Sequence, residues 1–290
     1  MLPTLALVTD DSPTDSPAHP RRGPLALLDR VLLRARVDSV DALARRTRRI
    51  VLAGPALAGL TWTPGQNVTL FPQDPTRLNS WRQGPRDIKR SYSVWEYHPA
   101  GRLTLAVYDH GGDSPGAAWA RGVAPGDEAI ITKPDGRLVA RSDASFHLFV
   151  GDDTAAVPFG AILRGLPASA QVRGVFECDG PADALLLPRA GDLAWSYRHG
   201  APAAGSPLLP AALADLDLPD PRDPVTSTST SIDIGSGSGS DGRTGRPVAY
   251  VAGEARTCQA VRRHLVSERG WERRQVIVQP FWTPGKRGMD

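Results

Sequence analysis

Residues 146–167, FHLFVGDDTAAVPFGAILRGLP, contain a strand, a glycine turn and a helix in immediate succession. The apolar run at residues 146–150 is typical of a strand buried on both faces, and helical apolar spacing follows it. The same order of strand, glycine and helix returns at residues 246–270, RPVAYVAGEARTCQAVRRHLVSERG. Two further apolar strands are QVRGVFEC at 171–178 and RRQVIVQPFW at 273–282. Strands that alternate with helices predict a doubly wound parallel sheet, the usual form of a nucleotide-binding α/β domain.

The chain before this region has a different pattern, with short β-rich runs separated by Pro-Gly and Gly turns. A single short helix, PGAAWARG at Pro115–Gly122, begins with a proline. Strands of this length and spacing predict an antiparallel barrel or sandwich, and of the two we expect a Greek-key β-barrel. The predicted strands are TRRIVLAG (47–54), QNVTLF (66–71), RSYSVWEY (90–97), RLTLAVYD (102–109) and DEAIITKP (127–134).

The length of 290 residues suits two domains of about 100 to 150 residues each. The predicted barrel domain covers residues 25–141 and the α/β domain covers residues 142–290. Two stretches have almost nothing to bury, namely residues 1–24 and an insert at about 219–247 that is rich in Ser, Thr, Gly and Pro. We predict that the first is disordered and the second flexible.

Composition excludes several classes of protein. The net charge of +3 is too small to indicate nucleic-acid binding. No apolar run is long enough for a membrane span, and the first residues do not resemble a signal peptide, so we expect a cytoplasmic protein without membrane insertion, and a monomer. Cys178 and Cys258 have no paired spacing, and the six histidines show no metal-binding pattern, so we predict no metal site.

Two strand-to-helix junctions are candidates for a nucleotide site, because unpaired amides and the helix dipole converge there in a parallel sheet. The first consists of Gly151, Asp152, Asp153, Thr154 and Ala155, and its carboxylates count against direct contact with a pyrophosphate. The second consists of Gly253, Glu254 and Ala255. At either junction, a capped helix that binds no ligand remains the alternative.

The barrel holds a second group of candidates. Arg90, Ser91, Tyr92 and Ser93 lie on a predicted strand, and an arginine fork, a phenol ring and a hydroxyl together suit a phosphorylated aromatic cofactor. The glycine-rich helix start that follows would supply amides to a pyrophosphate. Its residues are Asp109, His110, Gly111, Ser114, Pro115, Gly116 and Ala117. Taken singly, Arg90 could be a surface charge and Tyr92 a core residue.

Together these motifs resemble the flavin domain of the ferredoxin-reductase superfamily, and most closely the siderophore-interacting proteins. That family's HG-x-GP-xx-xWA segment is matched by residues 110–120, its G-D-E-T-A-x-P by 151–158, its A-G-E-A helix by 252–270 and its terminal Y-W-xx-G by 281–285. Three departures are the alanine at position 118, Phe281 in place of tyrosine, and a longer insert.

The resemblance implies the cofactor FAD and a role for each matching residue. Arg90 would bind an FAD phosphate, Tyr92 would pack on the ribityl chain and the isoalloxazine, and Ser93 would hydrogen-bond the flavin N5. Ser114 to Ala117 would receive the pyrophosphate, with Trp119 packed behind them. Ser93 and Tyr92 are therefore the expected catalytic residues, and the junctions at residues 151–154 and 253–255 would border the nicotinamide.

The implied activity is reduction of a ferric siderophore by NADPH or NADH, with release of Fe(II). Lys286 and Arg287 are candidates for capture of an anionic siderophore, with a frayed tail as the alternative. Glu177 could accept a hydrogen bond from a ribose hydroxyl of NADH. Alternatively, the 2′-phosphate of NADPH could be bound by Arg173, Arg189 and Arg198, so the choice between the two nucleotides stays open. Two other functions are a non-catalytic flavin or siderophore carrier and a general flavin or ferredoxin-type reductase.

Overall fold

The computed structural model describes residues 31–76, 89–111, 115–222, 225–226 and 244–285. It confirms both predicted architectures in the predicted order, a closed six-stranded antiparallel barrel followed by a five-stranded parallel sheet. The predicted disordered segment at residues 1–24 and most of the insert at 219–247 lie outside the described residues, so those two predictions stay predictions.

The barrel closes in the strand order β1-β2-β5-β4-β3-β6, with β3 and β4 leaving the sequential order as in a Greek key. Strand β1 was missing from the runs predicted above, since Arg34 and Arg36 alternate with its buried Ala35 and Val37 and break up the apolar signal. The strands are β1 (Leu33–Ala44), β2 (Thr47–Ala58), β3 (Asn67–Phe71), β4 (Arg90–His98), β5 (Ala100–Tyr108) and β6 (Glu128–Ile131).

The barrel interior is filled by aliphatic side chains that point inward from successive strands, among them Ile50, Leu52, Leu70 and Leu105. The predicted helix forms at the predicted residues, as α1 (Pro115–Gly122). Its buried Ala120 and half-buried Trp119 pack against this core. Because α1 begins beside β4, the start of the helix lies next to the strand of Arg90 and Tyr92.

The parallel sheet has the order β13-β12-β7-β8-β9, and two short strands, β10 and β11, form a separate ribbon. Its first strand in sequence lies at the centre, so the chain builds outward to one side and then returns to build the other. Ligands of such sheets bind at the carboxyl edge where the strand order reverses, here between β7 and β12. The strands are β7 (Phe146–Asp152), β8 (Gln171–Cys178), β9 (Leu193–Tyr197), β10 (Val225–Thr226), β11 (Thr244–Gly245), β12 (Val248–Glu254) and β13 (Val276–Trp282).

Helices cover both faces of this sheet, which confirms the doubly wound arrangement. Helix α2 (Ala156–Gly165) buries its side chains on one face, against Phe149 and Tyr250. Helices α3 (Leu208–Ala214) and α4 (Ala255–Arg263) cover the other face. Helix α4 continues into a turn of π-helix at residues 264–268.

The two domains meet where α2 packs on β4, the strand of the candidate flavin residues. A side chain at Gly160 would collide with Trp95, since its Cβ would lie 2.6 Å from the indole. The Arg164 guanidinium lies 3.9 Å from the centre of the Trp95 ring and donates a hydrogen bond to the Trp95 carbonyl. Strand β4, which carries the candidate residues Arg90 to Ser93, is therefore in direct contact with α2, the helix that follows the first candidate junction.

A second contact between the domains is ionic and joins the β1–β2 turn to the segment after β8. Arg45 donates to Asp183 at 2.5 Å and to Asp179 at 2.8 Å, and Arg46 donates to Asp183 at 3.2 Å. The Asp183 side chain has no exposed surface. We call these four residues the interdomain clasp.

Within the described ranges, no helix is long and apolar enough to cross a membrane. A search of the same residues finds no group of His, Cys, Asp and Glu side chains that could hold a metal ion.

Candidate functional site

The barrel half of the site is a cradle between β4 and the first turn of α1. A Cβ at Gly116 would lie 2.6 Å from Arg90 Cγ and 2.7 Å from the Tyr92 hydroxyl. Only glycine therefore permits the helix to begin this close to the two side chains. The first turn of α1 contains no acidic residue, so its positive end is not neutralised from within the helix.

Tyr92 presents a half-buried aromatic ring beside this cradle. It stacks on Trp119 with ring centres 6.4 Å apart and 29° between the planes. Burial raises the pKa of Tyr92 to about 12, and Arg90 opposes that shift only in part. The phenol is thus neutral at physiological pH and offers a flat face and an O–H group.

Ser91 and Ser93 alternate with Arg90 and Tyr92 along β4 and so point to the other side of the strand. Ser91 is exposed, whereas Ser93 is half-buried and pairs with Asn67 of β3. Two residues further on, Trp95 reaches the α/β domain through its contact with Gly160.

The turn that precedes α1 is held by Asp109. Its carboxylate accepts hydrogen bonds from the Gly111 amide at 2.9 Å and from Arg121 at 3.0 Å. His110 packs edge-on against Tyr108, with ring centres 4.9 Å apart. Ser114 lies outside the described residues, so its expected contact with the pyrophosphate stays a prediction.

The sheet half of the site begins with Asp152, which is 2% exposed. One of its carboxylate oxygens accepts from the Thr154 amide at 3.0 Å, the Thr154 hydroxyl at 2.5 Å and the Ala155 amide at 3.3 Å. The other accepts from the Glu254 amide at 2.9 Å and from the Trp282 indole at 2.8 Å. This carboxylate is saturated by protein donors.

Glu254 has a comparable role at the second junction. It is the N-cap of α4 and accepts from the Thr257 amide at 2.8 Å and the Gly205 amide at 3.2 Å. Burial raises the pKa of this carboxyl, but the amide hydrogen bonds outweigh burial and hold the pKa below its usual range. The helix start at Ala255 is therefore occupied by a side chain of the protein itself.

Asp153 belongs to a buried ionic group that also contains Glu177 and Arg198. Arg198 donates to Asp153 at 3.0 Å and to Glu177 at 3.2 Å. All three side chains are at most 5% exposed. Burial, more than any charge, raises the pKa of Asp153 and of Glu177, and the neighbouring Asp152 adds to the shift.

This geometry bears on the residues considered for the ribose. Glu177 and Arg198 face each other in the interior. Arg173 pairs with Asp192 at 2.8 Å, and Arg189 donates to the carbonyl of Ala170 at 2.5 Å. Each of these four side chains is already engaged by protein atoms. Arg198 and Asp153 are 45 residues apart in the chain, so no local sequence pattern indicates that they pair.

The two halves approach each other at the end of β13. Trp282 is half-buried, and its ring centre lies 6.2 Å from that of His110 of the barrel. Lys286 and Arg287 follow Trp282 in the chain but lie outside the described residues, so their role in substrate capture stays a prediction.

The barrel half fits FAD by its chemistry. An arginine, a neutral phenol and a helix start with room only for glycine lie together, and the half-buried Ser93 lies on the same strand. In the sheet half, Asp152 accepts from the Thr154 and Ala155 amides that precede α2, and Glu254 accepts from the Thr257 amide in the first turn of α4.

Two family models match the chain, and together they cover both domains. The model described as "Siderophore-interacting FAD-binding domain" matches residues 36–138. The model described as "Siderophore-interacting protein" matches residues 144–285. The boundary between the matches agrees with the end of the barrel.

Curated relatives and solved structures agree with these models. The chain is 24% identical over 204 residues to a ferric vibriobactin reductase of Vibrio cholerae, covering 69% of this chain and 66% of that protein. It is 30% identical over 151 residues to an NADPH-dependent ferric-chelate reductase of Escherichia coli, covering 48% of this chain and 58% of that protein. The matches thus span less than two thirds of both curated relatives.

A crystal structure of a siderophore utilization protein from T. fusca has a TM-score of 0.69 at 26% identity, covering 89% of this chain and 95% of that one. The names of the relatives indicate an oxidoreductase, and the barrel model indicates a flavin cofactor. This chain therefore belongs to the siderophore-interacting protein family, with its ferredoxin-reductase-like fold.

Proposed function

We propose that the protein reduces ferric siderophores with electrons from NADPH or NADH by means of a bound FAD, and releases Fe(II) for use in the cytoplasm. The observation that supports this most strongly is the placement of the cradle at Arg90, Tyr92 and Gly116 on a strand that packs against the α/β domain. A flavin held there would lie beside the edge at which parallel sheets bind nucleotides. The names of the two ferric reductase relatives give the same reaction class.

The residues of this chain have distinct tasks in the proposed reaction. Arg90 would bind a phosphate, and the amides at the start of α1 would receive the pyrophosphate. Tyr92 would cover one side of the ring system and Ser93 would donate to its reactive edge. FAD itself supplies the exchange between a two-electron donor and one-electron acceptors.

The reaction balances without a protein acid or base. NAD(P)H gives up a hydride, which carries two electrons, so two ferric siderophores are reduced for each nucleotide oxidised and one proton is released. Fe(II) binds more weakly to the hard oxygen donors of most siderophores, which favours its release. Lys286 and Arg287 would attract the anionic substrate.

The test begins with the visible spectrum of the purified protein, which should show the absorption bands of a flavin. Under anaerobic conditions, NADPH or NADH should bleach these bands, and a ferric siderophore should restore them while an Fe(II) chelator develops colour. A flavin that neither nucleotide bleaches would favour the non-catalytic carrier. A bleached flavin that ferredoxin reoxidises, but a ferric siderophore does not, would favour the general reductase. Cell fractionation and gel filtration test the proposed cytoplasmic location and monomeric state.

A further inference from the structure

The Asp152 carboxylate divides its hydrogen bonds between two tasks. Oδ1 accepts only from Thr154 and Ala155, which are the residues that lead into α2. Oδ2 accepts from the Glu254 amide and the Trp282 indole, which belong to β12 and β13. One buried carboxylate therefore connects the central strand of the sheet to the last residue of its edge strand.

The end of β13 is shaped so that the indole can reach this carboxylate. The register of β12 with β13 shifts here, because Gly253 pairs with Pro280 whereas Glu254 pairs with Trp282. The extra residue, Phe281, forms a bulge. Bulges turn a side chain out of the regular alternation and occur next to functional sites.

Gly253 provides the space for the same contact. It has φ +122°, a conformation that side-chain-bearing residues rarely adopt, and its Cβ would lie 2.5 Å from Asp152 Cγ. The glycine predicted to border the nicotinamide thus makes room for a carboxylate of the protein. The bulge at Phe281, the space left by Gly253 and the buried Asp152 carboxylate together allow the hydrogen bond from the Trp282 indole.

The indole held in this way stands between the domains. Its ring centre lies 6.2 Å from that of His110, in the segment of the barrel that leads into α1. It also lies at the end of β13, on the carboxyl edge of the sheet. A nicotinamide ring that extends from this edge toward a flavin in the cradle would pass beside the indole.

We propose that Asp152 is a positioning residue, which fixes the Trp282 indole at the domain junction and so sets how the nicotinamide approaches the flavin. This inference rests on the proposed function. A hydrogen bond from the neutral indole to an ionised carboxylate is stronger than one between neutral groups, so it holds the ring in one orientation. Correct orientation of the reacting rings affects the rate at saturation, not the affinity.

The first experiment uses the apoprotein and needs no activity. In a ¹H–¹⁵N spectrum, the indole N–H of Trp282 is identified by its absence in Trp282→Phe. In wild type it should resonate downfield of the exposed indoles. Asp152→Asn should move it upfield, since asparagine has a single accepting oxygen, the three donors at the Oδ1 position favour that oxygen there, and the amide nitrogen left facing Trp282 cannot accept. Thr154→Val is the matched control, because it removes a donor to Oδ1 alone and should leave the Trp282 resonance in place.

The second experiment measures anaerobic flavin reduction by NADPH or NADH in a stopped flow. Trp282→Phe keeps an aromatic ring at this position and leaves the other hydrogen bonds of Asp152 in place. It removes only the hydrogen bond from the indole, which we call the tether. We expect the rate constant at saturating nucleotide to fall about tenfold, with an apparent Kd within about twofold of wild type. Trp195→Phe removes a half-buried indole that packs on Phe176 at 5.1 Å in the same sheet, and should change neither constant.

The outcomes separate this inference from the proposed function. A Trp282 resonance that does not move in Asp152→Asn, or a saturating rate in Trp282→Phe equal to that of wild type, would overturn the positioning role. If neither nucleotide reduces the wild-type flavin, the proposed function fails and the positioning role for hydride transfer fails with it. A resonance that moves as expected would in that case still establish the tether itself.

Discussion

The two halves of the site use the same local design, a glycine turn that leads into a helix, for opposite purposes. At α1, Gly116 lets the helix start against Arg90 and Tyr92, and no acid lies in its first turn. Just before α2, Asp152 accepts from the Ala155 amide, and in the first turn of α4, Glu254 accepts from the Thr257 amide. At the barrel junction the helix start packs against two side chains of another strand, whereas at the sheet junctions a carboxylate of the turn itself accepts from nearby amides.

This difference shows that a glycine-rich helix start is not a binding site by itself. The described contacts differ in what packs against the turn: side chains of β4 at α1, and a carboxylate of the same turn at each sheet junction. A carboxylate that accepts from amides of its own turn makes the junction a structural element. Substitutions at the two kinds of junction should therefore damage different properties of the protein. Three experiments test that expectation, and a fourth tests the interdomain clasp.

The largest effect is expected at the sheet junction, on stability. Gly253→Ala places a Cβ within 2.5 Å of Asp152 Cγ in a backbone conformation with φ +122°. We expect the free energy of unfolding of the apoprotein to fall by about 3 kcal/mol, as measured by urea denaturation. Gly191→Ala, where a Cβ would meet nothing within 4 Å, is the control. A loss below about 1 kcal/mol would mean that the junction is not a structural element.

The next effect is expected at the barrel junction, on flavin affinity. Arg90→Ala removes the charge-assisted contact proposed for an FAD phosphate, which corresponds to about a hundredfold weaker binding. Flavin content after purification and titration of the apoprotein with FAD measure this. Arg102→Ala, an exposed arginine paired with Asp38, is the control. Full flavin occupancy in Arg90→Ala would place the cofactor elsewhere.

Gly116→Ala tests the same junction through its shape. The added Cβ displaces the Arg90 stem and the Tyr92 hydroxyl, so we expect about tenfold weaker FAD binding while the stability of the apoprotein changes by less than about 1 kcal/mol. The control lies in the same helix, since a Cβ at Gly122 meets nothing within 4 Å. If Gly116→Ala instead destabilises the apoprotein as strongly as Gly253→Ala, the contrast between the junctions fails.

The smallest effect concerns the interdomain clasp and depends on pH. Burial raises the pKa of Asp183, but the hydrogen bonds and charges of Arg45 and Arg46 outweigh burial and hold the pKa below its usual range. A lowered pKa stabilises the fold above the ordinary value of about 4, and this stability is lost as the pH falls through the folded-state pKa.

Asp183→Asn should therefore cost about 1 kcal/mol of unfolding free energy at pH 7 and progressively less as the pH falls below about 4. Urea denaturation across this range provides the measurement. Asp38→Asn, which breaks an exposed pair with Arg102, should change stability by less than about 0.5 kcal/mol at either pH. A cost for Asp183→Asn that does not depend on pH would show that the clasp does not act through the ionised carboxylate.

The fold was largely predictable from the sequence because its signals are local. The apolar runs of β7, β8 and β12 are continuous, as expected of strands covered on both faces. The proline at the start of α1 marked that helix correctly. Strands β1 and β9 and helix α3 were missed. Arginines interrupt the apolar pattern of β1, β9 has only five residues, and α3 has seven.

The site was predictable only in part, since residue types show which groups are available but not where their hydrogen bonds go. The cradle at Arg90, Tyr92 and Gly116 comes together as expected from neighbouring motifs. The binding roles proposed for it remain predictions. Asp152 and Trp282 are 130 residues apart, and their contact depends on a one-residue bulge in β13. Such a contact leaves no periodicity or spacing in the sequence.

The ribbon of β10 and β11 has a practical consequence for work on this protein. It lies just before β12, whose first residue, Val248, pairs with His147 near the amino end of β7. A sequence inserted between Thr226 and Thr244 would therefore be attached at the amino edge of the sheet, opposite the edge that carries Asp152 and Glu254. A fluorescent reporter or an affinity handle inserted there would leave the candidate site accessible, and the ribbon provides two closely spaced attachment points for it.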